Sequence, residues 1–174
     1  MRALILLIVV GLAGCQPAPS QSNAPFTNYV GDWYSIRPNG VTTLHSNTTF
    51  FADGTMTIDL FTCLSSELES AWTDRGEWYV DDNGLHISVI SDENNAETYH
   101  YSYVELSAEF DQRWLRDTTY DTRFKIWRRW HETPYTCATS LEDIAADRDR
   151  AIADGRFQQV YPDYNDADRD GDTS

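Results

Sequence analysis

Between Tyr29 and Trp130, apolar and polar residues alternate with a period of two, in short runs separated by turn residues. Met56, Ile58 and Leu60 alternate with Thr57 and Asp59. Gly76, Trp78 and Val80 alternate with Arg75, Glu77 and Tyr79, and Leu85, Ile87 and Val89 with His86 and Ser88. Phe124 and Ile126 alternate with Arg123 and Lys125. Successive strand side chains point to opposite faces, so the pattern predicts strands with one buried and one wet face. Turns are clearest at Ala52-Asp53-Gly54-Thr55 and Asp81-Asp82-Asn83-Gly84, where Asp-Gly and Asn-Gly supply positive φ. Looser turns fall near Pro38-Asn39-Gly40, Asp92-Glu93-Asn94-Asn95 and Asp117-Thr118-Thr119. The punctuation predicts a mainly β chain of about eight strands joined in sequence. Such an antiparallel meander closes readily into an up-and-down barrel, with a two-sheet β-sandwich as the alternative.

After Trp130 the pattern changes. Ser140 followed by Glu142 and Asp143 is a helix-start signal, with Leu141, Ile144, Ala145, Arg148 and Ile152 as a narrow stripe and Gly155 as a stop. This predicts a barrel over residues 27–139 and a C-terminal helix over 140–156 packed on it. Residues 157–174, polar and acidic from Tyr161 onward, are predicted to be a disordered tail.

The start of the chain carries an address. Arg2 precedes an uncharged apolar run from Ala3 to Leu12, and Leu12-Ala13-Gly14-Cys15 puts two small residues before a cysteine. A run of about ten apolar residues is too short to span a bilayer. It reads as a signal peptide over 1–14, and Leu-Ala-Gly-Cys resembles the lipobox of bacterial lipoprotein precursors. The resemblance implies cleavage after Gly14 and acylation of Cys15, with 15–26 as a flexible tether. The segment Gln16 to Pro25, rich in Pro, Ser, Gln and Ala, suits that role. Gln16 is not the aspartate that favours inner-membrane retention in enterobacteria, so the expected location is the periplasmic face of the outer membrane.

Charge narrows the partners. With 28 acidic against 13 basic residues and a formal net charge of −15, the chain is unsuited to nucleic acid or to polybasic docking on anionic lipid. Membrane attachment must then come from acyl chains. Of three cysteines, Cys15 is assigned to lipid, leaving Cys63 and Cys137 as an even pair. In an oxidising compartment the default for such a pair is a disulfide; two free thiols and a metal site are the alternatives. No CxxC spacing is present, and His45, His86, His100 and His131 are scattered, so no metal or cofactor is expected. Asp166, Asp168, Asp170 and Asp172 match the first half of a Ca²⁺ loop, but the bidentate glutamate that completes it does not follow.

Gly31-Asp32-Trp33-Tyr34 is similar to the opening motif of the lipocalin family. In that family the tryptophan closes one end of an eight-stranded barrel, and a late-strand arginine packs over the indole. The resemblance implies this role for Arg128, which shares a strand face with Phe124 and Ile126. The family's Thr-Asp-Tyr loop motif is absent, since Thr118-Thr119-Tyr120-Asp121 departs from its order. Phe51-Ala52-Asp53-Gly54-Thr55, Gly76-Glu77-Trp78 and Asn83-Gly84-Leu85 look more like the small lipocalin-like domains of bacterial exported proteins.

Tyr99, Tyr101 and Tyr103 share one strand face, with Trp114 nearby in sequence. They are candidate contacts to a ligand or partner. Glu97 and Glu105 share that tyrosine face, however, which predicts that it points outward as cross-strand packing. Arg113, Arg116, Arg123, Lys125, Arg128 and Arg129 read as a solvated basic face, or as a dock for the acidic tail or an acidic partner. No nucleophile elbow, zinc-protease motif or phosphate loop is present, so no enzyme is expected. Two functions compete. One is a carrier of a small apolar molecule; the other is a non-catalytic envelope accessory or interaction module, its barrel filled by Trp33, Trp78, Phe50 and Phe124.

Overall fold

A computed structural model describes residues 29–91 and 97–164. Eight antiparallel strands follow one another as nearest neighbours: β1 (Gly31–Asn39), β2 (Thr42–Phe50), β3 (Thr55–Leu64), β4 (Glu67–Asp81), β5 (Gly84–Ser91), β6 (Glu97–Glu109), β7 (Gln112–Asp117) and β8 (Arg123–Arg128). β8 pairs back on β1, with Trp33 opposite Arg128 and Ser35 opposite Ile126, so the sheet closes into an up-and-down barrel rather than a sandwich. Closure removes both free edges of the meander.

The period-two pattern sets which side chains go inside. Register carries one inner ring around the wall: Trp33 faces Thr48, Thr48 faces Ile58, and Ile58 faces Asp74. Another runs Gly76, Val89, Tyr99. A register slip of one residue would turn every inner residue outward, so the apolar face fixes the pairing.

The chain beyond β8 covers one outer side of the barrel. Residues 129–139 form an irregular strap, followed by α1 (Leu141–Ala153) and α2 (Arg156–Val160). The strap buries outward-facing side chains of β1 to β3. Tyr34 meets Tyr135 edge-on at 4.8 Å, and His45 stacks on Phe61 at 5.2 Å. Asn47 and Tyr135 exchange two hydrogen bonds, Asn47 Nδ2 donating to the Tyr135 carbonyl and the Tyr135 N–H to Asn47 Oδ1. Cys63 and Cys137 form a disulfide that holds the strap to β3, with Cα atoms 5.6 Å apart.

α1 starts on a reciprocal cap: Ser140 Oγ accepts from the Asp143 N–H, and the Asp143 carboxylate accepts from the Ser140 N–H. Its buried face differs from the apolar stripe in the sequence. Leu141 is 60% exposed and Ala145 is exposed, while Ile144, Asp147 and Ala151 are buried. The reason is polar. Asp147 accepts from the Trp130 N–H and from the Tyr135 hydroxyl, both at 2.8 Å, so the helix turns its acid rather than its leucine to the strap.

Residues 157–164 also depart from the disordered tail the sequence predicts. Phe157, Tyr161 and Tyr164 are buried against one another beside Phe110 and Trp130. Aromatic area of this size outweighs the polar residues between them. The cysteine assigned to lipid, the tether, the Asp92-to-Asn95 turn and the four acids matching a Ca²⁺ loop lie outside the described residues.

Candidate functional site

One end of the barrel is closed. Tyr29, Trp33, Phe50, Met56 and Trp78 belong to one buried cluster there, with Phe50 and Trp78 rings 4.9 Å apart. Trp33 Nε1 donates to the Tyr29 carbonyl at 2.6 Å, and the Tyr29 hydroxyl donates to Glu105 at 2.5 Å. Burial first, then the Glu105 carboxylate, push the Tyr29 pKa well above the usual phenol range. Arg128 lies over Trp33 with its Cζ 5.5 Å from the ring, and its Nη2 donates to the Val30 carbonyl at 2.6 Å. Gly31 makes room for it: a Cβ there would sit 2.4 Å from Nη2, and φ is +121°.

A second arginine joins the floor. Arg113 is buried, its Cζ 5.7 Å from the Trp33 ring, and it bonds the Phe110 and Gln112 carbonyls and pairs with Glu105 at 3.4 Å. The Arg129 side chain is 7% exposed and pairs with Asp32 at 3.2 Å. The basic run is therefore not one solvated face: Arg123 is exposed and Arg116 half-exposed, whereas Arg113 and Arg129 turn toward partners. Arg113 is buried and Arg129 half-buried, because carbonyls and acids at the barrel base offer them partners.

Above the floor, the bulky residues leave the barrel unfilled. A cavity of about 630 Å³ opens toward the end carrying Asn39, Tyr120 and Thr122. Its apolar wall includes Leu44, Ile58, Leu60, Leu85, Ile87 and Leu115. A space of that size suits one small molecule.

Tyr99, Tyr101 and Tyr103 line this cavity, so their face points inward and the outward reading is corrected. The two acids that suggested otherwise lie beyond its ends. Glu97 is exposed where β6 begins, and Glu105 is held at the floor by Tyr29 and Arg113. Trp114, by contrast, is 42% exposed on the outer wall with Lys125 Nζ 5.8 Å from its ring, and is not among the lining residues.

The lining also contains charges the sequence reading did not single out: Arg37, Asp74 and Asp117. Arg37 Cζ sits 3.7 Å from the centre of the Phe124 ring. Asp117 Oδ1 accepts from the backbone N–H groups of Thr119 and Tyr120. Ser35 and Ser46 satisfy each other at 2.7 Å. Asp74 is 5% exposed, and among the described residues its Oδ1 has no hydrogen-bond partner. Parity could have found it: counting back by two from Trp78 and Gly76 on β4 gives Asp74. Arg37 likewise follows Trp33 and Ser35. Among the described residues, no group of three or more His, Cys, Asp or Glu is placed to hold a metal ion.

No family model and no curated protein matches the chain. Among solved structures, the chain is similar to the siderocalin Ex-FABP, described as functioning through dual ligand specificities. Identity is 12%, the match covers 74% of this chain and 87% of that one, and the TM-score is 0.31. The barrel assignment rests on the strand pairing, not on that likeness.

Proposed function

We propose that this chain is a non-catalytic carrier or sensor that holds one small, largely apolar molecule inside a lipocalin-like barrel. The observation that carries the reading is the 630 Å³ cavity between a sealed aromatic floor and an open rim. A filled interior would have favoured the envelope accessory role instead; Trp33, Trp78 and Phe50 are gathered at the floor and leave the upper barrel empty. Titration with Nile red, a neutral fluorescent apolar probe, tests it. Saturable binding at one site is expected, abolished when Ile87→Trp fills the cavity, and native mass spectrometry of freshly purified protein should show a bound small molecule. No saturable binding by the folded protein, together with a bare mass, overturns the reading.

The carrier is proposed to be a bacterial lipoprotein, anchored through acylated Cys15 and facing the periplasm from the outer membrane. Support comes from the Leu12-Ala13-Gly14-Cys15 box after a short apolar run, and from a net charge that offers no other means of holding anionic lipid. Intact mass of the membrane fraction should show loss of residues 1–14 and added lipid, with Cys15→Ser blocking processing. A soluble mature form beginning elsewhere defeats it.

A further inference from the structure

Asp74 sits midway along β4 with its side chain on the cavity wall, next to Ile58 on β3 and Ser91 on β5 by register. Trp72 is two residues away on the same face, and Tyr99 and Tyr101 line the cavity with it. A carboxylate this buried loses several kcal/mol of hydration, which persists only where a partner returns it. Among the described residues, none does so for Oδ1, which has no hydrogen-bond partner, although hydroxyl groups elsewhere in the lining pair with each other.

The other interior charges do not cancel it. The lining holds two acids against one guanidinium. Asp117 is engaged by the β7–β8 loop backbone, and Arg37 lies on Phe124 at 3.7 Å with Tyr103 further along at 5.9 Å. No ion pair joins Arg37 to either acid among the described residues. Arg113 and Arg128 are bonded to floor carbonyls at the Trp33 end. The Asp74 charge is felt at Tyr101, whose pKa is raised first by burial, then by Tyr120 and Asp74. A free acceptor beside aromatic faces is the arrangement that suits a cation with N–H donors.

We infer that the molecule held in the barrel is an amphipathic amine, its apolar body against the aliphatic wall and its protonated amino group hydrogen-bonded to Asp74 beside Trp72, Tyr99 and Tyr101. The inference rests on the carrier reading and names the ligand's polar group. A fatty acid seated on Arg37 is the rival.

The test displaces Nile red from the folded chain with decylamine, decanol and decanoate, which share one chain and differ in head group. Decylamine is expected to bind about tenfold more tightly than decanol, the difference one charge-assisted hydrogen bond makes, with decanoate weakest. In Asp74→Asn the amine-to-alcohol ratio should fall to near one; Asp74→Ser serves if the asparagine variant does not fold. Equal affinities, a preference for decanoate, or an amine preference that survives both substitutions overturns the inference while leaving the carrier reading intact. Absence of any saturable Nile red binding overturns the carrier reading itself, and this one with it.

Discussion

Arg128 lies across the indole of Trp33, bonded through Nη2 to the Val30 carbonyl at 2.6 Å and sharing that ring with Arg113. The contact joins the first strand to the last at the sealed end. Arg128→Ala should cost about 2–3 kcal/mol, the range for charged hydrogen bonds lost from a partly buried site. Arg129→Ala, removing the pair with Asp32, should cost about 1 kcal/mol because Asp32 is 38% exposed on its side chain. Arg123→Ala on the exposed wall should stay within about 0.5 kcal/mol. Urea unfolding of the three variants checks the order, and equal losses would remove Arg128 from its anchoring role.

Gly31 is coupled to that arginine. Gly31→Ala meets both a positive φ and a Cβ placed 2.4 Å from Nη2, so a loss above about 1 kcal/mol is expected. Adding Arg128→Ala removes the collision and leaves only the backbone strain. The double variant should therefore lose less than the sum of the singles, by about 0.5 kcal/mol or more. Strict additivity would mean that the guanidinium swings clear of the space above Gly31 without cost.

Strand positions and inner faces were readable because one face of each strand is buried and turn residues punctuate the rest. Met56, Ile58, Leu85, Val89, Phe124 and Ile126 all face inward as their alternation predicts. Two turns were not readable. Ser65 and Ser66 turn β3 into β4 at φ of 52° and 83°, and Phe110 enters the β6–β7 turn at 33°, without the glycine or asparagine that marks such conformations. The tyrosine face reads as outward in the sequence because acids at its two ends look like evidence of solvent. On a long strand the same parity runs from rim to floor, and only its middle lies in the cavity. Asp74 was hidden by the abundance of acids, and Phe157, Tyr161 and Tyr164 by the polar residues between them.

Reduction should loosen the strap. The disulfide closes a sequence separation of 74 residues and ties 129–139 to β3 over the outer cluster of Tyr34, Phe61 and Tyr135. On the chain-entropy account, such a loop contributes about 4 kcal/mol. Cys63→Ser with Cys137→Ser should lower the unfolding free energy by that order. Non-reducing peptide mapping should recover the two cysteines in one linked fragment; finding both as free thiols removes the prediction.

The outer cluster also makes stability depend on pH through His45. The ring is buried between Tyr34 and Phe61, with the Tyr34 hydroxyl 2.5 Å from Nδ1 and the Thr43 hydroxyl 2.7 Å from Nε2. Burial disfavours the imidazolium and lowers the pKa below the ordinary 6.5. As pH falls through 6.5 the unfolded chain takes up a proton at this position before the folded one does. The contribution of His45 is therefore fully present above that pH, declines as pH drops, and levels off below the folded pKa. Each pH unit within that window removes at most about 1.4 kcal/mol. Between about pH 7.5 and about pH 5.5, wild type should lose more stability than His45→Gln, measured as the difference in urea unfolding free energy. The His45 ring resonances should titrate with a midpoint below 6.5. Parallel pH profiles for the two proteins, or a midpoint above the ordinary value, would show that the strap does not keep this ring from water.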